Sequence, residues 1–118
     1  VRHMQLTLTV EGEDGYVLKG GSNMSRISRD PEDLVGQMLN ASHQYPDGAV
    51  LFLGTLFAPV EDRDEADKGF THKLGDIVTV AAPELGALTN RMVHAHEAPP
   101  WTFGPGQLMR NLARRGLI

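Results

Sequence analysis

The sequence predicts an α+β domain dominated by strands, with two short helices. Three observations lead there. Short runs alternate apolar and polar residues with the period of a strand. Thirteen glycines and seven prolines among 118 residues cut the chain into short elements joined by turns. Only two stretches, Pro31 to about Ala41 and Gln107–Arg115, have the spacing of an amphipathic helix. The predicted order is β, β, α, β, β, β, α. Strict β-α alternation and internal repeats are both missing, so a mixed or antiparallel sheet is expected.

Gln5–Val10 alternates Leu6, Leu8 and Val10 with Thr7 and Thr9, which is a half-buried strand. Gly12-Glu13-Asp14-Gly15 supplies a turn, and Tyr16–Lys19 is the returning strand of a hairpin. Gly20–Ser28 is small, polar and irregular. Asp30 then caps a helix that opens on Pro31, with Glu32 and Asp33 at its positive end. Leu34, Val35, Met38 and Leu39 are its expected buried stripe, and Gly36 weakens it. Pro46-Asp47-Gly48 turns the chain into Ala49–Leu53, an apolar run read as a strand covered on both faces. Gly54-Thr55 ends it, and Leu56–Val60 is broken by Pro59. Asp76–Ala82 and Ala87–His94 are expected to pair across Pro83-Glu84-Leu85-Gly86. The terminal helix carries Leu108, Met109 and Leu112 on one side, with Gly116 as its C-terminal stop.

Composition bounds the function. A chain of this length forms one domain, and 41% apolar with 22% charged residues is ordinary for a globular protein. A net charge of −4 argues against a nucleic-acid partner held through phosphates. With no cysteine, disulfides and thiolate chemistry are excluded. The longest apolar run, Ala49–Leu53, is far below the ~20 residues of a membrane helix. The N-terminus lacks a signal pattern, and a cytoplasmic location is expected. Val1–His3 are set aside as expected vector residues, leaving residues 4–118 as the domain.

Several motifs attract a chemical reading. In the acidic loop Glu61–Asp67, counting from Asp62, Ala66 and Asp67 fall where a calcium loop needs a ligand and a glycine. A solvated charged loop is therefore expected. His94 and His96 share a strand face but lack the third ligand that zinc requires. His72 could serve as acid or base, yet no orienting partner is evident, so a structural histidine is expected. Arg110, Arg114 and Arg115 are expected on a solvated helix face. No Gly-x-Ser-x-Gly elbow or phosphate loop is present. Gly54-Thr55 is more suggestive, because a strand end offers a hydroxyl and free N–H groups to a ligand.

Four ordered segments carry a resemblance. They are Asn23-Met24-Ser25-Arg26-Ile27-Ser28, Leu53-Gly54-Thr55, Lys73-Leu74-Gly75-Asp76-Ile77-Val78 and Leu85-Gly86-Ala87-Leu88-Thr89-Asn90. Their order resembles the fumarylacetoacetate hydrolase family. Ser28-Arg29-Asp30-Pro31, His43–Gly48, Gly69–Lys73 and Ala98–Gly104 are similar to its branch of 2-keto-3-deoxy-sugar-acid dehydratases. The likeness covers nearly all of Gln5–Ile118 and corresponds to the C-terminal portion of the family's catalytic domain.

The resemblance implies part of a mixed β-roll and a parent enzyme that acts on a 2-oxo acid. It implies Mg2+ (or Mn2+ or Ca2+) held by a Glu-x-Glu pair and a later Asp, stabilising an enolate. Those ligands and the catalytic residues are expected upstream of this segment, so no metal is expected on it. Glu11-Gly12-Glu13 has the spacing but falls in the hairpin turn and is rejected. Gly54 and Thr55 map onto the family's Gly-Thr motif and are expected to bind the carboxylate end of the substrate. After it, Leu56-Phe57-Ala58-Pro59 replaces a glycine-rich tail, which favours the sugar-acid branch.

Dehydration of a 2-keto-3-deoxy sugar acid is the expected reaction of the parent enzyme. The alternatives are C–C bond hydrolysis of a diketo acid, or a truncated, inactive structural or dimerisation module. The isolated segment is expected to be inactive and to self-associate through exposed edges. Neither a membrane nor a nucleic-acid partner is expected.

Overall fold

The computed structural model describes residues 1–55 and 57–118. Strand β1 (Gln5–Glu11) and strand β2 (Val17–Asn23) form the expected hairpin, with Val10 opposite Leu18 and Leu8 opposite Gly20. The segment read as irregular from Gly20 is corrected here: Gly20–Asn23 completes β2. Met24 N–H then donates to Met4 O at 2.9 Å and carries the pairing into a 3-10 turn, Met24–Arg26. A Cβ on Gly20 would fall 2.2 Å from the Phe57 ring. The glycine is what lets Phe57 lie on the strand.

Strand β3 (Ile77–Ala82) pairs with β1, and strand β4 (Gly86–Arg91) with β3, giving an antiparallel sheet of order β2-β1-β3-β4. Leu85 N–H donates to Ala82 O at 3.1 Å, and Gly86 follows at φ +81°. This is a tight turn closed by a glycine bulge, a conformation costly for any other residue. Leu6, Leu8 and Val10 share one sheet face with Leu18, Val78, Val80 and Leu88. Among the described residues, Val10, Leu18, Met24 and Ala82 are the buried apolar ones, Val10 and Leu18 fully so.

Helix α1 (Pro31–Met38) starts as expected: Asp30 accepts from Glu32 N–H at 2.8 Å. It stops three residues short of Ala41. Asn40 accounts for this, donating to Gln37 O at 2.9 Å and accepting from Ser42 N–H at 2.9 Å. The expected buried stripe is overturned: Val35 and Leu39 are exposed and α1 has no buried residue. Arg2 ties the N-terminus to Asp30 at 2.7 Å and to Glu32 at 3.1 Å. Helix α2 (Pro105–Arg114) ends with Gly116 N–H donating to Ala113 O at 3.0 Å and Leu117 N–H to Leu112 O at 3.0 Å. None of its residues is buried either.

The expected strand Ala49–Leu53 is not formed. Val50 and Phe52 are 80% and 88% exposed while Leu51 and Leu53 are half-buried, so the run is not covered on both faces as expected. Of the stretch 56–60, Leu56 lies outside the described residues.

Among the described residues, the strand pairings are the extensive contacts between elements, and neither helix packs on the sheet. The radius of gyration is 18.6 Å, against roughly 13–14 Å for a compact domain of this length. The result is an α+β, strand-dominated structure whose apolar sheet face is enclosed at Val10 and Leu18 and exposed at Val80 and Leu88.

Candidate functional site

The turn of the first hairpin meets the acidic loop at the far end of β3. Gly12 N–H donates to Tyr16 O at 2.8 Å, and Tyr16 N–H to Asp14 Oδ1 at 3.1 Å, which fixes the Asp14 carboxylate. The loop closes on Asp62, which accepts from Asp67 N–H at 2.9 Å and Gly69 N–H at 2.6 Å. Those two bonds hold the Asp62 carboxyl below its ordinary range.

Closure of that loop turns Arg63 inward. Its side chain is 2% exposed and faces Asp76, which is 1% exposed. Nη2 donates to Asp76 Oδ1 at 2.8 Å, Nη1 to Asp76 Oδ2, and Nη1 also to Thr71 O at 3.3 Å. Lys73 N–H adds a bond to Asp76 Oδ2 at 2.9 Å. The Tyr16 ring lies 4.5 Å below the guanidinium. The expected solvated loop is thus corrected at Arg63, whose guanidinium is a buried latch between the loop and β3.

A second layer surrounds this pair. Lys73 Nζ donates to Asp14 Oδ2 at 2.9 Å and to Asp64 Oδ1. The Arg63 guanidinium, outweighing burial, holds the Asp76 carboxyl down at about 2, and Lys73 does the same for Asp14 at about 2. Both acids sit below their unfolded values near 3.9. Their contribution to stability is therefore complete above that pH and is lost as pH falls toward 2. Thermal melts are expected to show a falling midpoint between pH 5 and pH 2.5; a flat profile would contradict the coupling.

His72 Nδ1 lies 3.6 Å from Asp76 Oδ2, too long for a hydrogen bond. Its ring meets Phe70 edge-on at 4.8 Å between centroids. Sequence reasoning found no partner for His72 because Asp76 sits four residues on, outside any helix. Both Asp76 oxygens are already committed to Arg63 and Lys73. Asp76 therefore anchors the loop, and no hydrogen bond from it holds His72. Tyr16 Oη and Arg63 Nε are buried with no protein partner among the described residues.

Gly54 and Thr55 lie elsewhere. Gly54, at φ +92°, borders a cavity of about 220 Å³ with Leu6, Leu8, Met24, Phe57 and Val80. Thr55 beside it is exposed. No residue of the Arg63–Asp76 cluster lines that cavity. His94 and His96 stack at 5.3 Å, both exposed, with His96 Nε2 3.9 Å from Glu97 Oε1.

The carboxylates of this cluster are already engaged and do not suit a Mg2+ site. Asp14, Asp64 and Asp76 are engaged by Lys73 and Arg63, and Glu13 accepts from Arg91 at 3.2 Å. Among the described residues no three His, Asp or Glu side chains gather to hold a cation. Nor, among these residues, is any helix long and apolar enough to cross a membrane. The chain matches no protein-family model, no curated protein and no solved structure.

Proposed function

We propose that this chain is the C-terminal part of a cytoplasmic enzyme of the fumarylacetoacetate hydrolase type, acting on a 2-oxo acid. The parent reaction is dehydration of a 2-keto-3-deoxy sugar acid. A proton leaves the carbon next to the oxo group and the hydroxyl one carbon further departs, the two leaving as water. The mixed β-roll and the upstream Mg2+ ligands belong to that parent enzyme.

The observation that carries this reading is the ordered set of motifs from Asn23 to Gly104. One feature of the geometry supports it. Gly54 borders a cavity on the sheet face, with the exposed Thr55 hydroxyl next in the chain. A hydroxyl beside backbone N–H groups suits a carboxylate oxygen. The share of this segment is to bind and orient the acid end of the substrate.

Titration of the 15N-labelled chain with 2-oxobutyrate tests this. The largest amide shifts are expected at Gly54 and Thr55, and Thr55→Ala is expected to weaken them about tenfold, the loss of one hydrogen bond to a charged group. Shifts confined to other residues, or none, would remove the binding role. The chain alone, with Mg2+ supplied, is expected not to turn over the sugar acid.

Exposed apolar residues toward the β4 side of the sheet, Val80, Leu85 and Leu88, favour a second reading, a structural or dimerisation module. That reading requires self-association without any response to a 2-oxo acid.

A further inference from the structure

We infer that β4 is the seam of a homodimer, in which the Gly86–Arg91 edges of two copies pair antiparallel and extend the sheet to eight strands. The inference is independent of the chemistry at Gly54 and Thr55.

The sheet has two outer strands, and they differ in protection. β2 carries Lys19 in mid-strand, and Phe57 lies over Gly20. Both features discourage another strand from adding there. β4 reads Gly86-Ala87-Leu88-Thr89-Asn90-Arg91. It has no proline and no acid, its only charge is at the end, and all six residues are exposed.

Backbone alternation shows which groups are free. Met92 N–H donates to Asp76 O at 2.8 Å, and Gly75 N–H to Met92 O at 2.8 Å, so Met92 faces β3. In an antiparallel ladder the next residues to do so are Asn90 and Leu88. Ala87, Thr89 and Arg91 therefore aim their N–H and C=O groups outward. The 3.0 Å approach of Thr79 Oγ1 to Thr89 Oγ1 fits a pair not bonded through the backbone.

That edge is self-complementary. A twofold axis at Leu88 sets Ala87 opposite the partner subunit's Thr89, so each gains backbone bonds. Leu88, itself 65% exposed, meets the partner subunit's Leu88. Arg91 falls opposite the partner subunit's Leu85, so the two arginines stay apart. Leu85 and Val80, at 75% and 40% exposure, continue the apolar strip beside the seam.

The chain as a whole has surface to spare for such a seam. The chain exposes 9348 Å², whereas a monomeric protein of 12.9 kDa exposes roughly 6,300 Å². The excess is roughly 3,000 Å² against the ~800 Å² per partner of a standard interface; it is spread along the chain, with Leu85 and Leu88 at the β4 edge among its apolar part.

Sedimentation velocity across a concentration series tests the seam. The wild-type chain is expected to reach twice its 12.9 kDa mass. Thr89→Pro removes an outward N–H and leaves the β3–β4 ladder intact. Leu88→Lys sets like charges together at the axis and changes an exposed side chain. Each is expected to weaken the dimer about tenfold or more, with the circular dichroism spectrum unchanged. A wild-type chain that stays monomeric at the highest concentration overturns the inference. So does a folded Leu88→Lys variant that dimerises as tightly as wild type. Should Thr89→Pro fail to fold, Leu88→Lys decides alone.

Discussion

Replacing Arg63 with alanine is expected to cost about 3–5 kcal/mol of folding stability, because it leaves Asp76 buried as an unpaired charge. The two side chains are 2% and 1% exposed, so water cannot take over the role of the guanidinium. Domains of ordinary size have about 5–15 kcal/mol in total, and this one buries few apolar side chains. The variant is therefore expected to be largely unfolded in urea denaturation at a concentration the wild type survives. Arg63→Lys is expected to recover little, because an ammonium cannot donate to both Asp76 oxygens in one plane. Pairing Arg63→Met with Asp76→Asn removes both charges and keeps an acceptor for Lys73 N–H. That double variant is expected to regain more than half of the loss. A loss below about 1 kcal/mol for Arg63→Ala, the range of an exposed pair, would show that the latch is open to solvent.

What the sequence revealed was local. The hairpin at Gly12–Gly15, the Asp30 cap with Pro31, the Pro83–Gly86 turn and the Gly116 stop all rest on residues within a few positions of one another. Turn and cap chemistry fixes such features whatever the rest of the chain does. What failed depended on distant partners. Ala49–Leu53 has strand composition, but the sheet β2-β1-β3-β4 forms without it. The stripe of α1 is real as a pattern, yet neither helix lies on the sheet. The Arg63–Asp76 pair spans thirteen positions, and Asp14 reaches Lys73 across fifty-nine. No periodicity records such a pairing. A signal was nevertheless present: one arginine within an otherwise acidic run, and one acid at the head of a β-branched strand. Gly54-Thr55 was legible as a chain position, while the cavity beside it comes from Phe57 folding back over Gly20.

Leu18→Ala is expected to destabilise the fold by about 2–5 kcal/mol, the range for deleting a buried leucine side chain. Leu88→Ala, the same chemical change on the outer strand β4, is expected to cost the isolated monomer less than about 0.5 kcal/mol. The contrast follows from burial. Leu18 is 1% exposed and sits opposite Val10, which is fully enclosed; Leu88 is 65% exposed. Removing three carbons at Leu18 opens a void that the paired strands of β1, β2 and β3 cannot collapse into without breaking register. Removing them at Leu88 returns apolar surface already in water to water. Thermal melts at a concentration low enough to keep both variants monomeric measure the difference. Equal losses at the two positions would mean that Leu88 is covered in solution at that concentration. Raising the concentration is expected to widen the gap between wild type and Leu88→Ala, because only the wild type gains stability by mass action at the β4 seam.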